Sequence, residues 1–117
     1  MEGKFNIDFL NEAIDFMSSL DKKAQRKIYY NLRKSRLTNE PELLKKLNEN
    51  IWEFRTLFDK KQYRLFAFWD KTDKKGTLVL ATHGIIKKTR KTPKAEIKKV
   101  EEIRKVYFEQ KIRGNEK

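Results

Sequence analysis

Three runs rich in aromatic and β-branched residues follow one another in the middle of this chain: Ile51–Phe58, then residues 63–69, then 77–86. The separators, Asp59-Lys60-Lys61 and residues 70–76, are short and polar. Stretches of that length suit an antiparallel meander better than helical crossovers. A three-strand meander fixes the centre of the fold, and the remaining segments have to cover it.

Those segments are legible by their periodicity. Phe5, Ile7 and Phe9 alternate with polar residues, the period of a half-buried strand. From Leu10 the spacing becomes Leu10, Ala13, Ile14, Met17 and Leu20, which lines up one face of a helix. Asp21 is a good N-cap for a second helix, with Ala24, Ile28 and Leu32 on its apolar face and Lys and Arg filling the other. Thr38-Asn39-Glu40-Pro41 stops that helix, because the residue before proline avoids the α region. Residues 42–47 then read as a connector with a short turn of helix. After the meander, Thr92-Pro93 reads as an N-cap and first-turn proline, and Ile97, Val100, Ile103 and Tyr107 recur at helical spacing up to Gly114. The expected order is βααβββα, an α+β domain with a helical hairpin on one face of a mainly antiparallel sheet and a C-terminal helix. The chain of 117 residues is expected to form one domain over 1–117, with the last few residues frayed.

Charge narrows the class of partner. Lys and Arg outnumber Asp and Glu by 29 to 17, a net charge of +12. Such a balance attracts polyanions, nucleic acid first and a membrane surface second. No apolar stretch approaches the length of a spanning helix and no signal sequence begins the chain, so a cytoplasmic protein is expected. Without cysteine there is no thiol nucleophile or thiolate site, and a lone histidine argues against zinc. The expectation is no metal and no cofactor.

The meander carries the chemistry-bearing residues. Glu53 and Arg55 lie two apart and share a face, with Trp52 and Phe54 on the other. Arg64 sits beside Tyr63 in an otherwise apolar run, where an unpaired charge is costly to bury, so it calls for an anionic partner. The register between the first two runs is open in the sequence. If it brings Arg64 to the face of Glu53 and Arg55, three charged groups converge beside the cations Lys87, Lys88, Arg90, Lys91 and Lys94, forming a cationic groove.

This order of elements, together with Ile51-Trp52-Glu53-Phe54-Arg55, Tyr63-Arg64 and the stretch HGIIKKTRKTP from His83 to Pro93, resembles the RelE superfamily of bacterial toxins. The HigB-type, phage-derived members are the most similar, over about residues 5–108. The resemblance implies a small endoribonuclease that cuts mRNA, usually on the ribosome, and is held inactive by an antitoxin that is often a helix-turn-helix protein. It implies a phosphate-binding role for Arg64 and a second such position at Lys87 or Lys88. Glu53 departs from the founding toxins, which are basic there, and Tyr107 lies too deep in the helical periodicity to match the C-terminal tyrosine of some members.

RNA cleavage of this kind uses the substrate's own 2′-hydroxyl as nucleophile, so the protein has to supply a base, cations around the phosphate and a donor to the leaving oxygen. Arg55 and Arg64 suit the phosphate clamp, since a guanidinium fork binds two oxygens and stays charged. With Lys87 they complete the catalytic set, while Glu53 is either the base or an orienting group. Lys88, Arg90, Lys91 and Lys94 would hold flanking phosphates, and Tyr63 a base. The plainer readings stand beside these: a lysine-rich loop is often a solvated turn, Glu53 with Arg55 an exposed pair, His83 a core histidine bonded to backbone, and Tyr63, Phe66, Trp52 and Trp69 core with at most one free to stack. The competing function is a basic module without catalysis, either RNA-binding or acting, like ParE-type toxins, on a protein target such as gyrase.

Overall fold

The computed structural model describes residues 5–38, 40–72, 77–87 and 92–115. Its elements are β1 (Asn6–Phe9), α1 (Asn11–Ser18), α2 (Lys22–Leu37), β2 (Leu44–Lys46), β3 (Ile51–Phe58), β4 (Lys61–Asp70), β5 (Leu78–Lys87) and α3 (Lys94–Asn115). The strands form one sheet in the order β1-β5-β4-β3-β2, antiparallel except where β1 runs parallel to β5. This is the α+β arrangement expected from the periodicity, with one more strand.

The additional strand is β2. Residues 41–43 do make a turn, with the Leu43 and Leu44 amides donating to the Glu40 carbonyl. The chain then extends, placing Leu44 opposite Phe54 and Lys46 opposite Trp52. The expected helical connector is thus corrected to a short edge strand. Asn48 closes the turn into β3, its side-chain oxygen accepting from the Asn50 and Ile51 amides.

Alternation along the strands separates two cores. Phe54, Tyr63, Leu65, Ala67, Val79 and Ala81 face α1 and α2, where they meet Ala13, Met17, Ala24, Ile28 and Leu32. Ile51, Phe66, Phe68 and Leu80 face α3 and meet Val100, with Ile97, Ile103, Tyr107 and Phe108 around them. Phe66 and Phe68 are fully buried, each contributing roughly 1.5–3 kcal/mol of apolar burial. Helix α2 begins as its sequence predicts: the Asp21 carboxylate accepts from the Ala24 amide at 2.8 Å. Helix α1 crosses β5 at Gly84, where an added Cβ would overlap the Phe16 ring, so only glycine lets the helix sit this close.

Two local features set which side chains meet. The β3–β4 hairpin turns on Asp59 and Lys60, both left-handed at φ 51° and 64°. A two-residue turn of this kind matches the twist of the flanking strands and pins Phe58 opposite Lys61. In β5 a bulge leaves Thr82 without a partner between the pairs Phe66–His83 and Ala67–Ala81. An extra residue reverses the alternation. Leu78 and Leu80 face α3 before the bulge; His83 and Ile85 take that face after it, and Lys87 follows them.

Candidate active site

The hairpin register places Arg55 opposite Arg64 and Glu53 opposite Phe66. Directly opposed residues share a face, so Glu53, Arg55 and Arg64 converge. The Glu53 Oε1 lies 3.5 Å from Arg55 Nε and 3.6 Å from Arg64 Nε. Its other oxygen accepts a hydrogen bond from the Thr92 hydroxyl at 2.8 Å. The carboxylate is 1% exposed and the Arg64 side chain 4%, so this pair lies inside the protein. The anionic partner that Arg64 requires is Glu53.

The charges here do not balance. Arg64 donates to the Gln62 side-chain oxygen at 2.5 Å, and Lys87 stands opposite Gln62 on the neighbouring strand. Lys87 therefore shares the face of Arg64, brought there by the bulge at Thr82. Among the described residues Glu53 faces Arg55 and Arg64, and Lys87 lies on the same face. Neither Arg55 Nε nor Arg64 Nε has a hydrogen bond of good geometry. Burial pushes the Arg64 guanidinium down from its ordinary pKa, and Arg55 adds to this against the pull of Glu53. Lys87 is also pushed down, by burial first and then by Arg64, Arg55 and Lys45, with Glu53 opposing. Two guanidiniums drawn together in a largely buried setting suit an anion.

Access comes from the side of α2. A cleft of about 700 Å³ is lined by Arg55, Arg64 and Gln62 and, from α2, by Lys27, Tyr30 and Lys34, with Glu42 and Glu40, the latter 3.8 Å from Lys34, also on its walls. Tyr30 is 58% exposed, with the Lys27 ammonium 5.2 Å from its ring centre. The α2 wall was visible in the sequence only as the basic face of the second helix; no spacing singles out Tyr30. Thr92 and Gln62 left no signal at all. Thr92 lies next to Pro93, just before α3, but its hydroxyl reaches across to Glu53.

The other expected site residues divide. Tyr63 is 4% exposed in the core beneath the helical hairpin, so its ring offers no open face to a base, and it drops out of the RNA-contact set. Lys94 is exposed at the first turn of α3. Lys88, Arg90 and Lys91 lie outside the described residues. His83 is a buried core histidine, although its partners are side chains: its Nδ1 is 3.0 Å from the Thr82 hydroxyl and its Nε2 3.4 Å from Glu96. Burial pushes His83 below the usual histidine range, and Lys99 adds to this against Glu96. With Val79 and Ala81 on the opposite face, His83 belongs to the α3 side after the bulge. Thr92 on Glu53 and Glu96 on His83 seat the start of α3 across a row formed by Glu53, Phe66 and His83.

A family model described as "Phage derived protein Gp49-like (DUF891)" matches residues 15–105. The chain belongs to this family. The Gp49-like proteins are a RelE/HigB-like toxin family, and the matched span takes in Glu53, Arg55, Arg64, Lys87 and Thr92. No curated protein matches the chain. Among the described residues no helix is long and apolar enough to cross a membrane.

Proposed function

We propose that this Gp49-like protein is the toxin of a toxin–antitoxin pair of the HigB type and an endoribonuclease that cleaves mRNA, on the ribosome, in the cytoplasm. The observation that carries the reading is the convergence of Arg55 and Arg64, both lining an open cleft, on the buried Glu53 carboxylate, with Lys87 on the same face of the sheet. A phosphodiester entering the cleft meets both guanidiniums. As the 2′-hydroxyl attacks, negative charge builds on the phosphoryl oxygens, where two preset guanidiniums stabilise it more than they do the ground state.

Within this reading Glu53 orients and does not take the proton, because both its oxygens already face donors. Lys87, whose pKa burial lowers, is the group assigned to move one. In its neutral form it accepts the 2′-hydroxyl proton, the 2′-oxygen bonds to phosphorus, and the bond to the 5′-oxygen breaks, leaving a 2′,3′-cyclic phosphate and, after protonation, a 5′-hydroxyl. Tyr30 is the exposed ring placed to stack a base beside the scissile phosphate. No metal or cofactor enters this scheme. A helix-turn-helix antitoxin would hold the toxin inactive, and the +12 charge favours an acidic segment in that partner.

Sequencing RNA 5′ ends after brief expression tests the proposal. New 5′-hydroxyl ends within coding regions are expected within minutes. Growth arrest without new ends would contradict it and favour a protein target such as gyrase.

A further inference from the structure

At the other end of β3 and β4 from the hairpin lies a second cleft, of about 480 Å³. The chain has two tryptophans, and both Trp52 and Trp69 line it, with ring centres 5.6 Å apart and planes tilted by 54°. Each aromatic ring on its walls carries a cation from a different element. Lys46 at the end of β2 is 5.8 Å from the Trp52 ring centre, Lys71 just after β4 is 5.6 Å from Trp69, and Arg104 of α3 is 5.1 Å from Phe108. Glu49 is the one carboxylate among the described lining residues. The indole Nε1 of Trp69 is buried and has no hydrogen-bond partner, a donor left without an acceptor.

Lys46 and Lys71 are exposed, where stacking on a ring holds a cation only weakly. Apolar faces, two exposed lysines with Arg104, and an unpartnered N–H donor together match a planar base joined to a phosphate. We propose that this cleft binds one nucleotide of a single strand, outside the place where the strand is cut. Trp52 is three residues before Arg55 on β3, roughly 10 Å along the strand and on its other face, so a polymer that reaches both passes round the β2 edge of the sheet. The proposal stands on the cleft's own residues and not on whether the arginines cut.

Because both tryptophans are in the cleft, intrinsic fluorescence reads it directly. The probes are adenosine monophosphate, ribose 5-phosphate and an all-2′-deoxy decanucleotide, which lacks the hydroxyl needed for cleavage. Saturable quenching by the mononucleotide and by the decanucleotide is expected, the latter tighter by about tenfold or more, with none from ribose 5-phosphate. Reversing two exposed charges, Lys46→Glu with Lys71→Glu, should weaken mononucleotide quenching about tenfold and lower the decanucleotide's salt slope by about 0.7, for the one phosphate no longer neutralised. Trp52→Leu should weaken it about tenfold as well. Arg64→Ala should leave mononucleotide quenching in place even if cleavage is lost. No saturable quenching, equal quenching by ribose 5-phosphate, or indifference to the charge reversal would overturn the site. A decanucleotide binding no tighter than the mononucleotide would overturn the strand as its occupant.

Discussion

Glu53 shows how one buried residue serves both stability and chemistry. Removing it as Glu53→Ala leaves two guanidiniums facing each other without a counter-charge, a loss on the order of 3–5 kcal/mol. A large fall in the denaturant midpoint is expected, and a midpoint within error of the parent would remove Glu53 from this role. Lys87 makes a different prediction. Its folded pKa lies below the ordinary lysine value, so between the two the unfolded chain binds the extra proton and stability rises with pH across that window. If neutral Lys87 takes the 2′-hydroxyl proton, single-turnover cleavage should rise about tenfold per pH unit up to the folded pKa and then level. Lys87→Arg keeps the charge but cannot titrate, so its rate should be low and this limb absent. An unchanged profile would assign the proton to another group.

At the scale of elements, α3 is held to the sheet by polar contacts at both ends, and these were the least legible part of the sequence. Its far end rests on Asp70, 1% exposed, which accepts from Thr72, from the Tyr107 hydroxyl at 2.6 Å and from Lys111 at 2.6 Å. Burial alone would raise the Asp70 pKa, but these bonds outweigh it and hold the carboxyl well below the usual range; the Tyr107 hydroxyl is pushed up to about 12 by burial and by Asp70. A depressed folded pKa means that the stabilisation is complete above the unfolded value, about 3.9, and drains away as pH falls through the folded one. Asp70→Asn should cost about 3 kcal/mol at neutral pH and flatten the acid limb of the stability curve; an unaltered limb would show that other carboxylates govern acid unfolding. Gly84→Ala should cost about 1–3 kcal/mol by driving α1 off β5, read in the same unfolding assay. Strands, helices and the Asp21 cap were readable because each is written in local spacing. Strand β2 was not, since three residues with two lysines carry no period. The register of Arg55 against Arg64 hung on a turn of two residues, not three, and a shift of one residue reverses every face. The Thr82 bulge has no local signature either, yet it carries His83 and Lys87 to the α3 face. Thr92 reaches Glu53 across 39 positions, and only the folded chain reveals that pairing.

For the whole molecule, an excess of twelve positive charges draws in any polyanion, so binding alone says little about function. Attraction is spread over the surface, whereas the proposed cleavage is confined to Arg55, Arg64 and Lys87. Neutralising Lys27 and Lys34 on the outer wall of the cleft should weaken RNA binding for all sequences and lower its salt slope by about 0.7 for each phosphate left without its cation, with a slope equal to the parent's counting against that wall as the RNA path. The central claim rests on Arg64. Cleavage of mRNA on translating ribosomes, measured for Arg64→Ala beside the parent and paired with RNA binding at several salt concentrations, tests it most directly. A rate lower by about 100-fold or more is expected, with most of the binding kept; cleavage at the parent rate would contradict the assignment.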